Sequence, residues 1–99
     1  MNKPLKYNQE AAEALAVQAL GFLAGDDERL ERFLSLSGID PTEVRAAAGH
    51  PGFLAGVLDH IMSDEAMLVA FAEQVGLAPA EIAKAHSALT GGGDYQRNT

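Results

Sequence analysis

The stretch Leu34-Ser35-Leu36-Ser37-Gly38-Ile39-Asp40-Pro41-Thr42-Glu43-Val44 reads as one helix ending and another beginning almost at once. Gly38 stops a helix that carries Leu30, Phe33, Leu34 and Ser37 on one face, and Ile39 stands where a Schellman motif places its apolar contact. Asp40 then reads as an N-cap and Pro41 as the first helical residue. Glu43, three residues after the cap, closes a capping box.

Working outward, the same punctuation divides the chain into helices. Asp26-Asp27-Glu28 opens the segment that Gly38 ends, and before it a longer helix runs from an Asn8 cap to Ala24, stopped by Gly25. The helix begun at Asp40 ends at Gly49. A fourth opens at His50-Pro51 and continues to Met62 with Phe53, Leu54, Val57, Leu58 and Ile61 along its stripe. A fifth begins at Ser63-Asp64-Glu65 and ends before Gly76, and a sixth runs from Ala78-Pro79 to about Thr90. Apolar residues recur at helical spacing and no stretch alternates with period two. The expected fold is all-α: a compact bundle of five or six short helices forming one domain over 8–90. Residues 1–7 are expected to be a flexible N-terminal arm and 91–99 a flexible tail. Leu20, Leu23, Leu30, Phe33, Leu58, Ile61, Leu68, Phe71 and Val75 are the expected core.

Positions 38 apart match in kind. Asp26-Asp27 pairs with Asp64-Glu65, Leu30 with Leu68, Phe33 with Phe71, Gly38 with Gly76, Pro41 with Pro79 and Glu43 with Glu81. Backwards, Leu15 pairs with Phe53, Ala19 with Val57 and Leu23 with Ile61. Segments 15–47 and 53–85 are therefore read as an internal repeat, two three-helix units packed face to face. The first and fifth helices are apolar over more than one face, which places them at the centre of the bundle. The alternative is that a second copy of the chain covers part of them, through an interface including Val17, Phe22 and Val69.

Charge narrows the function classes. Between Asn8 and Thr90 stand thirteen carboxylates and four bases, Arg29, Arg32, Arg45 and Lys84, so the body is strongly acidic. Nucleic-acid binding depends on cationic contacts, and no nucleic-acid partner is expected. The Gly38 and Gly76 turns resemble a DNA-binding helix-turn-helix, but the helices after them offer Thr42, Glu43 and Arg45, or Ala80, Glu81 and Lys84, too acidic and short-chained to read bases. The longest apolar run, Ala66 to Ala72, is too short to cross a membrane, and no membrane partner is expected. The chain has no cysteine, which removes thiolate chemistry and suits a cytoplasmic protein.

Candidate chemistry is sparse. Asp59, His60, Asp64 and Glu65 cluster at the junction of the fourth and fifth helices, with His60 and Asp64 at i, i+4 spacing that suits a metal ion. Against this, Ser63 reads as the cap of a new helix that breaks the shared face, and these charges also suit helix termini. His50 reads as a cap or linker residue. Gly91-Gly92-Gly93 lacks the surroundings of a phosphate loop and reads as a linker. No catalytic residue, metal or cofactor is assigned.

Three stretches carry a family resemblance: Ala19-Leu20-Gly21-Phe22-Leu23-Ala24, Arg32-Phe33-Leu34-Ser35-Leu36-Ser37-Gly38-Ile39-Asp40-Pro41, and the run from Phe53-Leu54-Ala55-Gly56-Val57-Leu58-Asp59 to Gly76-Leu77. Over about residues 10 to 90 the chain resembles a small alphaproteobacterial family known only as a domain of unknown function. The resemblance implies an all-helical cytoplasmic protein and carries over no site residues. The function expected is a small acidic protein–protein interaction module, binding another protein and itself as a homodimer. The alternative is a carboxylate- and histidine-based enzyme or metal-binding protein built on the Asp59-His60-Asp64-Glu65 cluster.

Overall fold

Local capping chemistry sets the helices of the computed structural model, which describes residues 8–90; the expected arm and tail lie outside the described residues. The Asn8 side chain accepts from the Ala11 N–H at 2.7 Å and opens α1, Gln9–Ala24. The Asp26 carboxylate accepts from the Glu28 and Arg29 N–H groups at 3.0 and 3.2 Å and opens α2, Asp27–Ser37. Asp40 accepts from the N–H and the hydroxyl of Thr42, at 2.8 and 2.7 Å, ahead of a 3-10 turn, Pro41–Glu43. That turn runs into the short α3, Val44–Ala47. α4 is Pro51–Met62, α5 is Glu65–Val75, and α6 is Pro79–Thr90. All six helices stand where the sequence places them, and there is no strand among the described residues.

Three details of the caps depart from expectation. Glu43 closes no capping box; its backbone N–H donates to the Asp40 carbonyl at 2.8 Å, because the 3-10 turn is wound too tightly for the reciprocal bond. Ser63 does not cap α5. It ends α4 with its hydroxyl donating to the His60 carbonyl, and the α5 cap is Asp64, which accepts from the Met67 N–H at 3.1 Å. The Schellman motif forms at Gly76, where the Leu77 N–H reaches the Ala72 carbonyl at 2.9 Å. Gly38 makes the simpler single bond to the Leu34 carbonyl at 2.9 Å. Both glycines adopt φ +73°, a left-handed conformation that explains glycine at each stop.

Packing is centred on α1, α4 and α6, which make the most extensive contacts with one another. α2 lies on α1 and α4, and α5 on α4 and α6. Leu23, Phe33, Leu58, Ile61 and Phe71 are buried as expected, joined by Leu15, Leu54, Val57 and Ile82. Leu20, Leu30, Leu68 and Val75 are only half-buried, at the flanks of their stripes. The expected central pair of α1 and α5 does not form. α1 is central, but α5 is peripheral, and its apolar outer face includes Val69, 41% exposed. Small residues make the actual trio feasible: Ala12, Ala16, Ala19 and Ala85 are fully buried, letting helices approach closely.

Positions 38 apart hold related places. α2 and α5 are both eleven residues long, start and stop 38 apart, and have N-cap and C-cap torsions agreeing to within 11°. Phe33 of α2 meets the His60 ring of α4 with centroids 5.2 Å apart and planes at 62°. Phe71 of α5 meets Phe22 of α1 at 5.4 Å and 54°, and Phe22 is the residue 38 before His60. The third helices differ: α3 has four residues and α6 twelve. Pro51 sets an outer limit on α3, since its ring pushes His50 out of the helical region, to φ −109° and ψ 125°.

Candidate binding groove

α2 and α4 run past each other at Phe33, whose ring also meets Phe53 at 5.7 Å in an edge-on geometry. Beside that contact the two helices leave an open, mainly apolar groove of about 530 Å³. Phe33, Leu36 and Ile39 form one wall, Gly52, Phe53 and Gly56 the other, and Asp59, His60 and Ser63 the polar end. Space is left because neither glycine has a side chain; a Cβ built on Gly52 or Gly56 would meet nothing within 4 Å. Leu36 stands at the groove 73% exposed. Leu36 lies outside the expected stripe of Leu30, Phe33, Leu34 and Ser37, yet its signal is in the sequence: it is a large apolar residue off the buried stripe of an otherwise polar helix.

The Asp59-His60-Asp64-Glu65 cluster, the alternative site, does not converge. Asp59, largely exposed, faces α6, where its carboxylate lies 3.7 Å from His86 Nε2. The Asp64 carboxylate is occupied in capping α5. Glu65 is exposed in the first turn of α5. His60 is half-buried against Phe33, with Nε2 closed off from solvent and without a hydrogen-bond partner. Burial and the nearby Arg32 charge hold His60 below its ordinary pKa, outweighing Asp64 and Asp59, so the neutral ring is favoured. Among the described residues no group of three His, Asp or Glu side chains gathers where an ion would sit. The cluster therefore offers helix termini and an aromatic contact, with no converging donors.

A second cleft of about 310 Å³ opens where the N-terminal ends of α2 and α5 come together. It holds Arg29 and Arg32 beside Asp26, Glu28 and Asp64, so the carboxylates outnumber the guanidinium groups. Asp40, outside both clefts, has its pKa lowered by the bonds it accepts from Thr42.

The three expected interface residues divide. Val17 is 49% exposed on α1 and Val69 is exposed on α5, whereas Phe22 is half-buried between Phe71 and the Arg29 guanidinium, which lies 4.8 Å from its ring centroid. His50 stands at the α4 N-cap position without a side-chain capping bond. No single described helix is long and apolar enough to cross a membrane; α5 and α6 reach that length only together, across a break bent by 95°.

No curated protein and no solved structure matches the chain. A family model matches residues 9–92, which takes in the whole helical body, both clefts and the exposed apolar positions. The chain thus belongs to the family described as protein of unknown function DUF3572.

Proposed function

We propose that this chain is a protein–protein interaction module whose main contact surface is the groove between α2 and α4. The observation that supports this reading is Leu36, a large apolar side chain 73% exposed beside a groove walled by Phe33, Ile39 and Phe53. Apolar grooves with a polar end are where partner side chains gain most from leaving water. An enzymatic reading lacks a comparable observation, since the ionisable groups around His60 do not converge. A cytoplasmic location belongs to the same proposal and is checked by cell fractionation. So does the inference that 15–47 and 53–85 are copies of one unit, favoured by the matched caps and by the reciprocal Phe33–His60 and Phe71–Phe22 contacts.

The test compares wild type with Leu36→Glu, a change at an exposed position that leaves the core intact. Both proteins are immobilised and exposed to lysate of the source cell, and retained proteins are identified by mass spectrometry. A partner retained by wild type and lost by Leu36→Glu is the expected result. Identical retention by the two would overturn the groove as the contact surface. Sedimentation equilibrium at micromolar concentration identifies a second copy as the occupant if the wild-type mass doubles and the variant stays monomeric.

A further inference from the structure

The outer face of α5 carries Glu65, Ala66, Val69, Ala70 and Glu73, a small-residue apolar patch between two carboxylates. The face is open, with Glu65, Ala66, Val69 and Glu73 all exposed. At the equivalent places on α2, 38 residues earlier, stand Asp27, Glu28, Glu31, Arg32 and Ser35. The two helices have the same length and matching caps, so the fold does not require an apolar outer face on α5; a soluble helix in that place is served by charged residues.

We infer that this face binds a basic amphipathic helix of another protein, one that sets small aliphatic residues against Ala66, Val69 and Ala70 and Lys or Arg against Glu65 and Glu73. Charge complementarity selects this occupant. Glu65 and Glu73 are eight residues apart, about 12 Å along the helix, or two turns. Cationic side chains two turns apart on a facing helix meet both. A second copy is disfavoured, because α5 packed on α5 in the antiparallel sense places Glu65 opposite Glu73 on both sides, like charge on like charge. The negative excess continues past the N-terminal end of α5, where Asp26, Glu28 and Asp64 outnumber Arg29 and Arg32. The inference rests on the reading of the protein as an interaction module, but uses a different surface from the Leu36 groove.

The probe is a synthetic capped peptide of about twenty residues, a length that helps an Ala-rich sequence hold a helix. It has an Ala/Val stripe flanked by Lys two turns apart; a control carries Glu in place of Lys. Amide shifts of the full-length protein are followed by NMR during titration. The expected result is sub-millimolar binding with shifts concentrated on 65–73, no binding of the Glu peptide, and affinity about ten-fold weaker in Glu65→Lys/Glu73→Lys. Glu31→Lys/Glu43→Lys, the same charge change away from α5 and its flanking cleft, should bind within about two-fold of wild type. No binding at millimolar peptide overturns the inference, as does equal weakening by the two double variants. Shifts confined to the groove around Leu36 overturn it while leaving the interaction module standing. Concentration-dependent shifts of 65–73 without peptide assign the face to a second copy and overturn it too.

Discussion

α2 and α5 present the same backbone with opposite outer surfaces. Each has eleven residues, an aspartate cap and a left-handed glycine stop, and each sends a phenylalanine inward to an aromatic ring on a neighbouring long helix. Outward, α2 shows Glu28, Glu31 and Arg32, and α5 shows Ala66, Val69 and Ala70. Their inner faces answer to packing and their ends to hydrogen bonding, so both are constrained alike. Their outer faces answer only to what lies outside the chain, and there they part. The difference also extends to the rings: α5 meets Phe22, an all-carbon surface, and α2 meets His60, whose Nε2 is left without a partner.

The largest expected effect tests whether the two inward phenylalanines are equivalent. Phe71→Ala should cost roughly 3–5 kcal/mol, and Phe33→Ala a similar amount, as both are buried. Urea denaturation followed by circular dichroism measures both. A loss below about 1 kcal/mol at Phe33 beside a full loss at Phe71 would break the equivalence, because core truncations seldom cost so little.

Next come the two stops. Gly38→Ala and Gly76→Ala should each cost about 1–2 kcal/mol, since an alanine must hold a left-handed conformation there. Neither site is crowded, so the backbone conformation alone sets the cost. Thermal melts of the two variants should shift by similar amounts. A neutral result at either glycine would remove backbone strain as the reason for it.

Replacing His60 by the residue found 38 positions earlier sharpens the contrast. His60→Phe should stabilise the protein by roughly 1 kcal/mol at neutral pH, by removing a buried nitrogen with no partner. In wild type the folded state binds the His60 proton less readily than the unfolded chain does. Stability is therefore unaffected above the ordinary value of 6.5, falls as pH drops through it, and levels off below the lowered folded-state value. His60→Phe should remove that part of the decline. Denaturation midpoints compared at pH 7 and pH 5 measure it, and an undiminished acid loss would assign the decline to other groups.

The smallest effect belongs to the outer face. Val69→Lys should change stability by less than about 0.5 kcal/mol, because the position is exposed. A loss near 2 kcal/mol in the same denaturation assay would mean that Val69 supports the fold and that the outer faces do not differ in duty.

The helices were legible because their ends are chemical: Asn8, Asp26 and Asp40 each offer an oxygen to an unpaired N–H, and Gly38 and Gly76 each permit a conformation other residues resist. Which helices surround which was less legible. An apolar stripe states how much surface wants cover and not what covers it, so α5 read as central when α4 and α6 hold that place. The groove is illegible in the sequence for a related reason. It exists because Gly52 and Gly56 leave room beside Leu36, and a missing side chain on one helix has no period that links it to a leucine on another. The His60 cluster was found as a neighbourhood, but Ser63 closes one helix and Asp64 opens the next, which turns the side chains apart.

Among the described residues every fully buried side chain is apolar, and the one polar side-chain atom shut off from solvent without a partner, His60 Nε2, forms no hydrogen bond. Nothing inside the core, then, acts as a key that fits only one lock. A buried hydrogen-bonded pair fixes how far one helix may slide along another, whereas Leu23, Ile61 and Ile82 are held by shape alone. Such an interior tolerates exchange of one aliphatic for another of like volume and gives up sharpness of packing before it gives up stability. The alignment of the helices is left to their ends, to four capping side chains (Asn8, Asp26, Asp40 and Asp64) and two glycines at the rim, so the molecule is fastened at its hems.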